Sequence, residues 1–418
     1  MNRRSLFKAL TASLPVATFL PHYHAMAASD RKKVKITDVK VMLVRGLFDW
    51  PLVRIETDAG IYGIGECFFG PNPKEIILHS QSLSPSLREI LIGEDPLDVD
   101  RLYTTMINRK AGAGSIAGAT VSAISGLEIA LWDLAGKMLG VPVHKLLGSF
   151  RDSVPAYWTN QGPRNMLDPA SCREYADMIK SHPYGIKAVK CHHRIRDIEG
   201  RLSRRFPRSD LDRNAKGFMN MREALGDDYE IVFHNHGNFD WMDALALARA
   251  IAPMKPWWLE DPIPSDFSDT WVKLTEESPV PILTGENLYT RHGFKPFIVN
   301  QGCHIIHIDI VKAGGLLEAK KIADLADIFY IPTCAHNVAS PIGSIASTHS
   351  AASIRNFISH EFNYGNMKDH LAWEAFAVYD RPFIKDGKYQ LSNKSGLGID
   401  VNEDHVRANL APGEKWWG

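Results

Sequence analysis

The stretch Ile231–Tyr289 holds three pieces of one kind: IVFHNHGNFD (231–240), WWLEDP (257–262) and PILTGENLY (281–289). Each is a short apolar run ending on a residue able to bind a metal. Those residues are His234, Glu260 and Glu286, and the two intervals between them are both 26 residues. An interval of that size holds one strand, one helix and their loops. In a parallel βαβα arrangement such side chains leave the carboxyl ends of neighbouring strands on one face. An imidazole and two carboxylates converging there make a divalent-cation site.

The same rhythm continues on both sides. VPAYW (154–158), IKAVKC (186–191), EIVFH (230–234), WWLE (257–260), ILTGE (282–286), HIIHID (304–309), IFYIPT (328–333) and FISHE (357–361) read as strands. Helix-compatible segments lie between most of them, such as 241–252 and 315–326. Strands alternating with helices in this number predict a (β/α)7-8 TIM-type barrel, an α/β fold. Upstream, residues 34–66 alternate as strands, with Asp58-Ala59-Gly60 as a turn between two of them. Segments 74–91, 98–108 and 120–139 read as helices, the last ended by Gly140 and Pro142. This predicts an α+β capping domain over 28–153, a barrel over 154–371, and a C-terminal segment, 372–418, that packs back on the capping domain and completes it.

Ionisable groups are dense at the predicted strand ends. Lys190 and His192 follow the second strand, His234 and His236 the third, Glu260 the fourth, Glu286 the fifth, Asp309 the sixth, His336 the seventh and Glu361 the eighth. One such histidine is ordinary structure. Nine ionisable groups at successive barrel positions are costly to gather without a role. Trp50 and Phe68, on loops near Leu47–Trp50 and Phe68–Pro73, are candidate substrate contacts. Asn160, Gln161, His193 and Asn337 are candidate partners for substrate hydroxyls.

The chain has 418 residues, a formal net charge of zero and no broad basic field, which argues against nucleic-acid binding. The basic run 192–208 is mixed with acids and reads as a solvated face. Arg3-Arg4 precede Ser5-Leu6-Phe7-Lys8, an apolar run 9–20 and Ala25-Met26-Ala27. That pattern predicts an export signal over 1–27 of the twin-arginine type, a periplasmic location, and no membrane association once it is removed. The five cysteines are scattered, odd in number and without a CxxC pair, so a disulfide framework is not expected.

Several motifs together resemble the mandelate racemase branch of the enolase superfamily. They are GIGE (63–66), AISGLEIALWDLAGKMLGVPVHKLLG (123–148), KAVKCH (187–192), LEDP (259–262), TGENL (284–288), DIVKAGGL (309–316) and GLGID (396–400). The likeness spans roughly residues 34–410. It implies removal of the proton α to a substrate carboxylate beside one divalent metal ion, Mg²⁺ by resemblance; the superfamily is a standing example of Lys or His bases working with Mg²⁺. It implies that Glu260 and Glu286 are metal ligands, that Asp309 orients His336 as a base, and that Glu361 hydrogen-bonds the substrate carboxylate. Lys190 and His192 stand at a Lys-x-Lys position, with histidine second. A small-molecule partner and a homo-oligomer are also implied. One departure is large: the first metal ligand is usually Asp, and His234 stands there. Imidazole for carboxylate weakens a Mg²⁺ site and makes Mn²⁺, Fe²⁺ or Zn²⁺ plausible.

His236 points to the fate of the substrate. Relatives resembling galactonate and mannonate dehydratases carry a histidine there, as the acid for a departing 3-hydroxyl. The pairing with His336 favours loss of water from a sugar acid, giving a 2-keto-3-deoxy acid. Two alternatives stay open. Lys190 and His336 on opposite faces suit a racemase, epimerase or cycloisomerase. The missing Asp ligand suits a non-catalytic periplasmic sugar-acid binding protein.

Overall fold

The structure is a computed structural model. It describes residues 34–80, 84–111, 116–160, 162–192, 207–237, 239–363 and 370–417. The proposed signal at 1–27 therefore lies outside the described residues, as do Gln161, His193 and most of the basic run.

Three antiparallel strands open the chain: β1 (Ile36–Arg45), β2 (Asp49–Thr57) and β3 (Tyr62–Glu66). The β2–β3 turn passes through Gly60 at φ 73°, a conformation that glycine takes without penalty. Among the described residues five helices follow, at Asn72–Leu78, Leu87–Leu91, Val99–Ala111, Gly118–Leu139 and Val143–Leu146. The single long helix predicted over 74–91 is thus two short ones. The second starts at a capping box, Ser86 with Glu89, which marks a new helix start.

The glycines of GIGE answer to packing. The backbone of β3 lies directly on the helix Gly118–Leu139, with Gly126 at the contact. A methyl at Gly65 would meet the Gly126 carbonyl oxygen well inside contact distance and lie 2.8 Å from Ala130 N. Neither backbone can yield without disturbing its own ladder. Gly65→Ala is therefore expected to destabilise the fold by about 3 kcal/mol, read as a lower denaturant midpoint at unchanged slope. An unshifted midpoint would mean that the helix can stand off from the sheet.

Eight parallel strands then close into a barrel: β4 (Ser153–Asn160), β5 (Ala188–His192), β6 (Glu230–His234), β7 (Trp258–Glu260), β8 (Ile282–Thr284), β9 (Ile305–Asp309), β10 (Thr333–His336) and β11 (Phe357–Phe362). β11 pairs with β4 to shut the ring. One strand lies later than predicted. Ile328 ends a helix that begins at Leu316, and the seventh barrel strand is TCAH, not IFYIPT.

A layer of Tyr157, Ala188, Val232, Trp258, Leu283, Ile305 and Cys334 fills the barrel interior. The residues two further along β5, β6, β7, β9 and β10 face the same way, toward the open end. Those residues are Lys190, His234, Glu260, His307 and His336. In β11 the phase changes. Thr333 pairs with Phe357 but Ala335 with His360, a register shift that puts an extra residue in β11. Ile358 packs against the interior layer, and Glu361, three residues on, also reaches the interior.

The C-terminal segment is shared between the two bodies. Its hairpin consists of β13 (Ile384–Lys385) and β14 (Lys388–Gln390), and β14 pairs antiparallel with barrel strand β4. β12 (Ala377–Tyr379) pairs instead with β15 (Ile399–Val401). The last residues then cross to the capping domain. Arg45 N donates to Asn409 O at 2.7 Å, Ala411 N donates to Leu43 O at 3.0 Å, and Lys74 Nζ meets Glu414 Oε2 at 2.6 Å. All five cysteines are buried and unpaired.

Candidate active site

Strand register sets the polar groups side by side. His192 pairs with His234 and His234 with Glu260; on the far side of the barrel Asp309 pairs with His336. The side chain of Asn160, at the end of β4, and that of His192 fall outside what is described, so only their strand positions are known.

A charged network occupies the barrel just above its apolar layer. Lys190 Nζ lies 2.7 Å from Glu260 Oε1 and 2.9 Å from Glu361 Oε1, with all three side chains buried. The other Glu260 oxygen accepts from Trp258 Nε1 at 3.2 Å. The other Glu361 oxygen accepts from the Tyr157 hydroxyl at 3.0 Å, and that hydroxyl is also 3.0 Å from His307 Nε2. Burial opposes the charge on Lys190, but Glu260, Glu361 and Glu286 outweigh it and hold the ammonium charged. Glu361 is likewise kept ionised against burial by Lys190, His336 and His307. An ionised Glu361 accepts hydrogen bonds and does not donate them, so in this arrangement it anchors Lys190.

The three expected cation ligands, His234, Glu260 and Glu286, are divided between two overlapping clusters, each completed by a histidine not expected as a ligand. His234, His236 and Glu286 form one, and Glu260, Glu286 and His307 the other; within each, one donor atom per residue lies within 4.8 Å of the rest. Glu286 belongs to both. His234 sits between them, with Nδ1 3.2 Å from Glu260 Oε1 and Nε2 3.9 Å from Glu286 Oε2. Glu260 reaches inward because Lys190 and Trp258 hold its two oxygens. Glu286 Oε2 and Asp261 Oδ2 are buried without hydrogen-bond partners. Burial, joined by Glu361 and Glu286, raises Glu260 to about 7 despite Lys190. Asp261 is raised well above the ordinary carboxylate range by burial and by Glu286 and Glu260. Bare buried carboxylate oxygens and a surplus of negative charge are what a divalent cation would offset. The donors present fit such an ion.

His336 faces the same clusters. Its Nδ1 is 2.7 Å from Asp309 Oδ2, and its Nε2 is 3.4 Å from Glu286 Oε2. Burial would lower its basicity, but Glu286, Glu361 and Asp309 win and raise it to about 9. The same carboxylate surplus is at work, and positive charge at Glu286 would reduce it. His236 is exposed at the mouth, its ring stacked on that of His234 at 3.6 Å. Its φ of 52° and the 41° of Asp261 are left-handed, an unusual backbone state that clusters at functional sites. A cavity of about 210 Å³ opens beside them, lined by His236, Asp261, Ser265, Asp266 and Asn287 among others.

The loop after His336 is braced from three directions. Glu66, at the end of β3, accepts from Ser340 N and Gly343 N, each at 2.9 Å, and from the Ser340 hydroxyl. It therefore caps the helix Pro341–Ser353 from the other domain. Trp50 Nε1 donates to Val338 O at 3.1 Å, and Trp373 Nε1 to Ala339 O at 3.3 Å. Trp50 is 2% exposed, so its place is under this loop and not against a ligand. Asn337 is also buried, with its amide bonded to Ser344 Oγ and Glu361 O. Phe68 lies near the mouth, its ring 4.4 Å from Lys312 Nζ.

His307, Tyr157, Asp261 and Glu66 escaped the sequence reading. His307 left a usable signal: it precedes Asp309 by two residues in a strand, so both face inward. Glu66 and Asp261 stand in the motifs GIGE and LEDP, but like Tyr157 they could not be given roles because their partners come from other segments.

Comparison with known proteins agrees with this architecture. Residues 42–148 match the mandelate racemase/muconate lactonizing enzyme N-terminal domain, and residues 173–405 match the enolase C-terminal domain-like family. The chain is 35% identical to a D-xylonate dehydratase of Haloferax volcanii over 92% of its own length and 90% of that protein's. It is 28% identical to a D-galactonate dehydratase of Pectobacterium atrosepticum, covering 87% and 92% of the two chains. A mandelate racemase/muconate lactonizing enzyme-like protein from Rubrobacter xylanophilus superposes with a TM-score of 0.84 at 32% identity, over 92% of this chain and all of that one. The chain belongs to the mandelate racemase/muconate lactonizing enzyme family of the enolase superfamily.

Proposed function

We propose that this enzyme, a hydro-lyase, removes water from an acid sugar: it takes the proton at C2, next to the carboxylate, and expels the hydroxyl at C3, leaving a 2-keto-3-deoxy acid. The dehydratase names of its relatives support the class of substrate. The observation that carries the chemistry is the position of His336, bonded to Asp309 on one side and 3.4 Å from a cation-cluster carboxylate on the other. A base there stands where the substrate carboxylate would be drawn.

Members of this superfamily work with a divalent cation, and the residues here that would hold it are Glu286, common to both donor clusters, with Glu260 from one and His234 from the other. When bound, the ion supplies fixed positive charge for the second negative charge that builds on the carboxylate as the proton leaves. The protein's own groups do the rest. Lys190 has three N–H donors, two of them engaged by Glu260 and Glu361, which leaves one for a substrate carboxylate oxygen. Asp309 fixes the His336 ring, so that the proton from C2 goes to Nε2. His236, exposed on another strand end, gives a proton to the departing C3 oxygen. Lys190 is tied to Glu260 and Glu361 at 2.7 and 2.9 Å, so its remaining N–H serves to bind the substrate carboxylate and not to take a proton. That favours elimination over a two-base isomerisation.

A panel of aldonates that includes xylonate and galactonate, each with Mg²⁺ or Mn²⁺ in D₂O, tests the reading. At least one should yield a keto-deoxy acid. Deuterium entering C2 without loss of water would replace this reading with an isomerase. No exchange with any member would leave a binding protein.

A further inference from the structure

We propose that His307 is itself a ligand of the cation, reaching it from the barrel floor, so that the ion is held by mixed imidazole and carboxylate donors. The inference rests on the cation-assisted reading above and deepens it, by assigning the atoms that decide which ion is accepted. His307 is fully buried in β9, with Asp309 two residues on. Tyr157 gives its hydroxyl proton to Glu361 Oε2, and the tyrosine oxygen accepts from His307 Nε2 at 3.0 Å. That hydrogen bond places the ring proton on Nε2 and the lone pair on Nδ1. Nδ1 has no hydrogen bond of good geometry, although the backbone of Ala335 interacts with the ring. It lies 3.7 Å from Glu260 Oε1 and in one cluster with Glu260 and Glu286. A buried lone pair turned toward two carboxylates is unfavourable unless something positive lies between them.

The Tyr157 bond to Nε2 also has the form usual for a metal-bound histidine, whose second nitrogen donates to an outer partner. The ring has little freedom, since Tyr157 holds one side and His336 packs edge-on against it at 5.5 Å. With His234 also offering nitrogen, the donor set departs from the all-oxygen shell that Mg²⁺ favours. It suits ions of intermediate softness, such as Co²⁺, Zn²⁺ or Fe²⁺.

Metal-stripped protein titrated with CoCl₂ and with MgCl₂, followed by calorimetry and visible absorption, tests this without any turnover assay. The wild-type protein should bind one Co²⁺ more tightly than Mg²⁺, by at least on the order of 100-fold. His307→Gln keeps a polar side chain beside Tyr157. It should weaken Co²⁺ by more than the roughly 10–100-fold that loss of an outer partner brings, shift the ligand-field bands, and change Mg²⁺ binding little. Crystals of the wild-type protein grown with CoCl₂ give a check that needs no variant: cobalt should lie about 2.1 Å from His307 Nδ1. Unaltered Co²⁺ affinity and bands in His307→Gln, or cobalt seated away from that ring, overturn the inference and leave the cation-assisted reading standing. Failure of the wild-type protein to bind any divalent ion overturns both.

Discussion

His336→Asn should lower turnover of the accepted sugar acid by about 10²–10⁴-fold, with KM little changed. The imidazole is oriented by a buried carboxylate and placed beside the cation clusters, at 2.7 Å from Asp309 and 3.4 Å from Glu286. Asparagine keeps the size and polarity of the group near Asp309 and removes the proton acceptor. The decisive readout is exchange of the C2 proton with D₂O, which reports the step assigned to His336 apart from loss of water. It should vanish together with turnover. Exchange at the wild-type rate in His336→Asn would move the base elsewhere. Asp309→Asn should fall in the same direction, since the ring would lose both its orientation and the partner that supports its charged form.

Glu286→Gln should abolish stoichiometric divalent-metal binding, and turnover with it. Glu286 is the residue common to both donor clusters, and its Oε2 is a buried oxygen with no hydrogen-bond partner. Glutamine is nearly the same shape but offers a neutral oxygen, so the loss isolates charge from packing. Metal content by mass spectrometry, before and after loading, gives the answer independently of substrate choice. His234→Asp is the opposite experiment. It returns a carboxylate to the usual first-ligand position and should raise Mg²⁺ affinity by about 10-fold or more. Full metal occupancy in Glu286→Gln would show that the ion sits elsewhere.

The barrel was legible because its strands end on polar groups in strict order along the chain, and sequence order becomes spatial order in a parallel barrel. The seventh strand was misplaced by three to five residues for an identifiable reason. IFYIPT has strong strand propensity, yet Ile328 and Tyr330 are 72% and 94% exposed at a helix end. TCAH carries the strand, with Cys334 in the interior layer and His336 above it. Candidate ligands could be named, but not how they turn. Glu260 is drawn inward by Lys190 and Trp258, and the Lys190 contact comes from a strand 70 residues earlier. Trp50 looked like a lid residue from its loop. Its role under the Val338 carbonyl needs a partner 288 residues away. The tail was expected on the capping domain alone; that β14 first extends a barrel strand was hidden, since a short hairpin carries no mark of the edge it will join.

That route has a thermodynamic consequence. One segment is stitched into β4 by backbone pairing and then into Leu43, Arg45 and Lys74 of the other body. Neither body can melt while the other stays intact without tearing the same strap, so heat should undo the chain in one cooperative transition where its length would ordinarily suggest two.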